Sequence, residues 1–152
     1  MNTLAFWSSR HHWNRASINT TRCLIGCTLG DFSALWFLQA NFPDLGMGSI
    51  MAISMLSGLT TSLLLETILL RTGADRLPTW SLAARTAAGM SLTSMLAMET
   101  VQNVVDYHLT GGVVDLGDPG FWVAAGVSLG AGWMAPLPWN YLKLRRWGKG
   151  CH

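Results

Sequence analysis

The sequence has little charge for its length, and this limits the partners that it can bind. Only 12% of its 152 residues are charged, and the formal net charge is +2. Binding to nucleic acid depends on clustered cations that neutralise phosphates, so a chain this weakly charged is not expected to bind DNA or RNA. We expect no nucleic-acid partner.

The sequence also lacks the short motifs of several large enzyme classes. It contains no nucleophile elbow, no phosphate-binding loop and no dinucleotide fingerprint. Cysteine is scarce, with three residues, of which two lie four positions apart in an apolar segment where a structural disulfide is not expected. We therefore predict a protein that is not an enzyme and is not held together by disulfides.

Long apolar segments are what the chain has in abundance. Half of its residues are hydrophobic, and they are concentrated in segments of about 20 residues, the length that crosses a bilayer as a helix. The four predicted spans are about 23–42, 47–70, 86–105 and 121–142. This pattern predicts an all-α protein, a four-helix transmembrane bundle.

The two ends of the chain read differently from this membrane domain, residues 23–142. Residues 1–22 carry Trp7, Trp13 and basic side chains, which are typical of an interfacial lead-in that does not span. Residues 143–152 read as a basic cytoplasmic tail. No small-residue cleavage site follows a short apolar core near the N-terminus, so no cleavable signal peptide is expected.

All ten lysines and arginines fall on one side of the predicted spans. They are Arg10, Arg15 and Arg22 before the first span, Arg71, Arg76 and Arg85 between the second and third, and Lys143, Arg145, Arg146 and Lys149 after the fourth. Cytoplasmic loops of membrane proteins carry such an excess, so the positive-inside rule predicts that both termini are cytoplasmic.

Polar groups that carry chemistry lie on one stripe of the first span. Cys23, Cys27 and Asp31 are spaced by four residues, and helical neighbours four apart share a face. Thiolates and thioethers select copper(I) among the common metals, and Met98 and Glu99 lie inside the third span. The hypothesis is a metal site made of these five residues. The alternative is that cysteine and methionine only fill space between helices.

Ionisable groups inside a membrane usually face the bundle interior and mark proton or ion sites. Asp31 and Glu99 are expected to approach each other within the bundle, and Asp106 lies nearer the outer surface, so the three carboxyls form a candidate proton or ion relay. Glu66 is five residues before Arg71, near the end of the second span, which favours an interfacial pair for that carboxyl.

Small residues at four-residue spacing predict close helix packing. Gly26 and Gly30 form such a face on the first span, and Gly126 and Gly130 form one on the fourth. Near the termini a second thiol and imidazole set is conceivable, although solvated termini are the simpler interpretation. Its members are His11, His12, Cys151 and His152.

Several short motifs, taken in order, resemble a bacterial integral-membrane family known as domain of unknown function 4396. The first is Cys23 and Cys27 followed at the same interval by Asp31, and the next is Met98-Glu99. The later motifs are Phe121-Trp122 and Pro138-Trp139-Asn140. The resemblance implies a multi-pass protein of the bacterial inner membrane and carries no activity with it.

The leading functional expectation is a membrane protein that binds or transports a soft metal ion, copper(I). One alternative is a non-catalytic membrane subunit whose polar core serves packing and partner binding. Another is a proton-coupled carrier of a small solute that uses Asp31 and Glu99. Four helices are few for a transporter, so transport is expected to need a homo-oligomer or a partner subunit.

Overall fold

The computed structural model describes residues 7–73 and 76–147, and in this part of the chain all regular structure is helical. The helices are α1 (Arg10–Asn41), α2 (Met47–Thr72), α3 (Trp80–Thr110), α4 (Pro119–Met134) and α5 (Leu137–Trp147). Helices α4 and α5 follow one another in the chain, and together they form the fourth of four long helical units, which we call rods. The predicted all-α helical bundle is confirmed.

Three of the rods are long and apolar enough to cross a membrane. They are α1, α2 and the run Pro119–Arg146 that contains α4 and most of α5. Helix α3 is not among these three, but its 31 residues rise about 46 Å at 1.5 Å per residue. It packs against both α2 and α4, and its buried face carries the polar residues Glu99 and Gln102. The chain is a helical membrane protein.

Local sequence explains where the helices begin and end. Thr79 caps α3 by accepting a hydrogen bond from the Leu82 backbone N–H at 3.3 Å, and Gly111 ends the helix with a φ of +66°. Asp118 caps α4 in the same way, and Pro119 occupies the first helical position, where its missing N–H costs nothing.

The fourth rod is broken near its C-terminal end. Helix α4 stops at Met134 and α5 starts at Leu137, on either side of Pro136, whose ring cannot donate the backbone hydrogen bond that a continuous helix requires. The break turns α5 onto the first turns of α1, where Tyr141 is fully buried and stacks on Trp13 with ring centroids 4.5 Å apart. Residues 10–22, which are part of the predicted lead-in 1–22, are continuous with the first spanning helix.

The two ends of the bundle carry charges of opposite sign, as the positions of the charged residues in the sequence predict. At one end, which we call the basic end, Lys143 donates a 2.6 Å hydrogen bond to the Met90 carbonyl, and the guanidinium of Arg71 lies 5.7 Å from the ring centre of Trp80. At the other end, which we call the acidic end, Gln39 donates to the Gly112 carbonyl at 2.6 Å. Its loops carry Asp44, Asp115 and Asp118.

The glycines of α1 and α4 behave differently. A Cβ added at Gly26 would lie 2.7 Å from Ser62 Cα, and one at Gly30 would lie 2.6 Å from the Ser57 carbonyl oxygen, so α1 and α2 touch here through their backbones. At Gly126 and Gly130 an added Cβ meets nothing within 4 Å. The expectation of close packing at these two α4 positions is therefore wrong, because this face of α4 is exposed.

Candidate functional site

Four sulfur-bearing side chains from two helices form one buried cluster. Cys23 and Cys27 on α1 pack with Met95 and Met98 on α3, and none of the four is more than 2% exposed. The spacings of four and three residues place each pair on one helix face, and the two faces meet. We call these four residues the sulfur cluster.

A carboxylate lies beside the first thiol. Cys23 Sγ donates to Glu66 Oε2 at 3.8 Å, and Glu66 is only 3% exposed. The sequence favoured an interfacial pair of Glu66 with Arg71, but the structure buries this carboxyl in the bundle, while the Arg71 guanidinium lies over Trp80. Glu66 thus joins the site as a residue that sequence reasoning missed.

A second carboxylate lies beside the second thiol. The thiol of Cys27 lies against the side chains of Glu99 and Ser62. Glu99 is completely buried, and its Oε2 accepts a 3.2 Å hydrogen bond from Asn103 Nδ2. Its other oxygen, Oε1, has no hydrogen-bond partner among the described residues. Each cysteine therefore has its own glutamate.

Room for Glu99 comes from a glycine on the neighbouring helix. A Cβ added at Gly58 of α2 would collide with Glu99 Oε1 and lie 2.9 Å from the Cys27 carbonyl oxygen. Only glycine leaves space for the carboxyl and the α1 backbone together. The sequence does carry a signal for close packing here, because Ser54, Gly58 and Ser62 form a small-residue repeat at four-residue spacing.

One helical turn beyond Cys27, the third member of the predicted stripe lines a cavity. Asp31 faces Gln102 and Asp106 of α3 across a space of about 530 Å³ between α1, α3 and α4, walled by Phe32 and Trp122. We call this space the carboxylate cavity. The five predicted metal ligands are thus divided: Cys23, Cys27, Met98 and Glu99 come together at the sulfur cluster, and Asp31 lies in the cavity.

The predicted relay residues follow one another along the bundle. Asp31 lies within electrostatic range of Glu99 on one side and of Asp106 on the other. Asp106 is four residues from the end of α3, about 6 Å along the helix axis. Carboxyls therefore run from the acidic end to the sulfur cluster.

A second depression, of about 410 Å³, lies between α2 and α3. It is lined by Met47, Met51 and Met55, which are spaced by four residues, and by His108 near the end of α3. Asn103 lines both this methionine groove and the carboxylate cavity, and it is the residue that donates to Glu99. The Asn103 side chain therefore lies between the methionine groove and Glu99, the carboxylate beside Cys27.

The terminal thiol and imidazole set lies only in part within the described residues. His12 shares a 2.6 Å hydrogen bond with Ser9 Oγ, and its ring meets His11 edge-on with centroids 5.8 Å apart. Cys151 and His152 lie outside the described residues. Within residues 7–73 and 76–147, no three histidine, cysteine or carboxylate side chains stand close enough together to hold a metal ion by themselves.

Comparison with known proteins places the chain in a family. The family described as domain of unknown function 4396 matches residues 12–149, which is nearly the whole chain. No curated protein and no solved structure matches this chain. The chain belongs to the family known as domain of unknown function 4396.

Proposed function

We propose that the protein binds copper(I) inside the membrane at the sulfur cluster. The observation that carries the proposal is the meeting of two thiols and two thioethers, from helices α1 and α3, in one fully buried cluster. Neither pair is close to the other in the sequence, so only the packing of the bundle brings them together.

The donor types favour copper(I) over harder cations. Thiolate and thioether sulfur are soft ligands that select copper(I), whereas magnesium and calcium prefer carboxylate and carbonyl oxygen. A site of two thiolates from Cys23 and Cys27, with Met95 and Met98 beside them, supplies only sulfur.

The two glutamates give the thiol protons a place to go. Binding copper(I) to two cysteines replaces two S–H protons, because the thiolate is the ligand. Glu66 Oε2 lies 3.8 Å from Cys23 Sγ, and Glu99 lies against Cys27. Each carboxylate accepts the proton of its own thiol, so the buried site changes its charge only by the charge of the ion.

The proposal includes an orientation and a route. With both termini cytoplasmic, in a bacterial inner membrane, the basic end faces the cytoplasm and the methionine groove lies towards the opposite surface. Met47, Met51, Met55 and His108 then form a first group of soft ligands, and Asn103 and Glu99 separate them from Cys27. Movement across the membrane would require a homo-oligomer or a partner subunit, since one copy has only four rods.

The test is copper(I) stoichiometry of the protein purified in detergent, measured by competition with a copper(I) chelator under reducing conditions. Wild type is expected to bind one ion per chain, and Cys23→Ser with Cys27→Ser to bind none. Cys151→Ser is the matched control, because it removes the thiol that is remote in sequence from Cys23 and Cys27, and it should keep full binding.

Helix content by circular dichroism shows that the double variant is folded. Equal stoichiometry in wild type and in the folded double variant would overturn the copper proposal. It would favour a membrane subunit whose polar core serves packing and partner binding.

A further inference from the structure

We propose that the carboxylate cavity is a binding site for a small organic ammonium ion, with Asp31 as its counter-ion. This inference goes beyond copper binding and does not depend on it. It rests on the shape, the charge and the unpartnered oxygens of the space between α1, α3 and α4.

Buried oxygens without partners are the first argument. Thr28 Oγ1, Asp31 Oδ1 and Gln102 Oε1 are buried, have no hydrogen-bond partner among the described residues and belong to side chains that line this cavity. Asp31 and Gln102 are each only 7% exposed. Buried polar groups are normally paired, because a buried acceptor that has lost its water is costly. Such acceptors beside a cavity favour a ligand that carries N–H donors.

Charge is the second argument. The ionisable side chains that line the cavity are Asp31 and Asp106, and none of the lining residues is lysine, arginine or histidine. Glu99, one layer deeper, adds a third carboxyl within electrostatic range of Asp31. A cation is therefore the ligand that this environment favours, and an anion is disfavoured.

The volume of the carboxylate cavity and its apolar lining favour an organic cation over an inorganic one. A volume of about 530 Å³ is in the range of small-molecule sites and far exceeds the space of a bare ion with its ligands. Phe32, Leu35, Trp122 and Leu129 form apolar walls, and two of these residues are aromatic, the residue type that attracts cations. An ammonium group on an apolar body matches both the acidic part and the apolar part of the cavity.

The chain offers a matched pair of variants to test this site. Gly126 lines the cavity, and Gly130 lies one turn further along α4 and does not. At both positions an added Cβ meets nothing within 4 Å, so both accept a side chain without a backbone clash. Leucine at position 126 would occupy the cavity, while leucine at position 130 would leave it open.

The experiment is isothermal titration calorimetry of protein in phosphatidylcholine nanodiscs, with 2-phenylethylamine, which is protonated at neutral pH, and with its neutral isostere 2-phenylethanol. The amine is expected to bind at least tenfold more tightly than the alcohol. Asp31→Asn should lower amine affinity at least tenfold and Gly126→Leu should abolish binding. Gly130→Leu and Asp44→Asn should bind as wild type does.

Three outcomes would overturn the inference. They are equal binding of the amine and the alcohol, no binding of the amine, and unchanged amine affinity in Gly126→Leu. The last variant keeps the carboxyl, so it remains informative if Asp31→Asn does not fold. Cys23→Ser with Cys27→Ser should bind the amine normally, which separates this site from the sulfur cluster.

Discussion

The sulfur cluster and the carboxylate cavity share one stripe of α1 and are built in opposite ways. At the cluster, glycines at positions 26 and 58 bring the backbones of α1 and α2 into contact, and the space is filled. At the cavity, the glycine of α4 at position 126 borders open space. The close-packed side holds thiols, and the open side holds unpartnered oxygens.

This difference shows that the spacing of residues along one helix does not determine whether they are closely packed or line a cavity. Cys27 and Asp31 are one turn apart, yet α2 and α3 enclose the first while α3 and α4 leave a cavity at the second. The neighbouring helix determines whether a polar group is packed or faces a cavity large enough for a ligand. Substitutions at the neighbours therefore test the comparison better than substitutions on the stripe.

The largest effect is expected at Gly58, on the packed side. Gly58→Leu would place a side chain where Glu99 Oε1 and the Cys27 carbonyl now lie, and overpacking of this kind typically costs about 1–3 kcal/mol or more. We expect little folded protein after detergent extraction, measured by size-exclusion chromatography. Gly48→Leu on the same helix, where nothing lies within 4 Å, should behave as wild type; equal yields would contradict the packing account.

Removing both proton acceptors should change how copper binding depends on pH. In wild type the thiol protons pass to Glu66 and Glu99, so affinity should depend less on pH than in a variant that lacks both carboxyls. Glu66→Gln with Glu99→Gln must release two protons to solvent, and its affinity should fall by up to about a hundredfold for each unit that the pH is lowered. Chelator competition at several pH values measures this, with Asp44→Asn as control. Parallel pH profiles would rule out the proton transfer.

The thioethers should contribute less than the thiols. Met95→Leu with Met98→Leu conserves volume, so it should keep the fold while lowering copper(I) affinity about tenfold, or about 1.4 kcal/mol. Met51→Leu with Met55→Leu in the methionine groove is the control and should leave the equilibrium affinity unchanged. A larger loss in the control pair than in the cluster pair would place the site in the groove instead.

The smallest effect compares alanine at two glycines. Gly130→Ala should raise stability by about 0.5–1 kcal/mol, because it removes glycine's entropic cost in a helix without meeting a neighbour. Gly26→Ala should lower stability, because its Cβ would lie 2.7 Å from Ser62 Cα. Apparent melting temperatures in detergent provide the comparison, and a loss at position 130 would contradict the open face of α4.

Much of the fold could be predicted from the sequence because span length and helical period are local properties. The four rods, the shared face of Cys23 and Cys27, and Met98 with Glu99 in the third rod all follow from spacing. The break at Pro136 follows from the covalent geometry of proline.

Contacts between helices could not be predicted in the same way. Glu66 lies 43 residues from Cys23 and was assigned to an interface because Arg71 was the visible partner. Gly58 has a role only when Glu99 is known to face it, and Gly126 was misassigned because a glycine pattern does not distinguish a tight contact from a cavity wall. The environment of each of these three residues depends on which helix faces pack together, and this is not a local property of the sequence.

The most direct test of the copper site is X-ray absorption spectroscopy of the copper(I)-loaded protein at the copper edge. The account predicts a shell of sulfur neighbours only, which is lost in Cys23→Ser with Cys27→Ser and kept in Cys151→Ser. A shell of nitrogen or oxygen neighbours in wild type, or a sulfur shell that persists in the folded double variant, would contradict it.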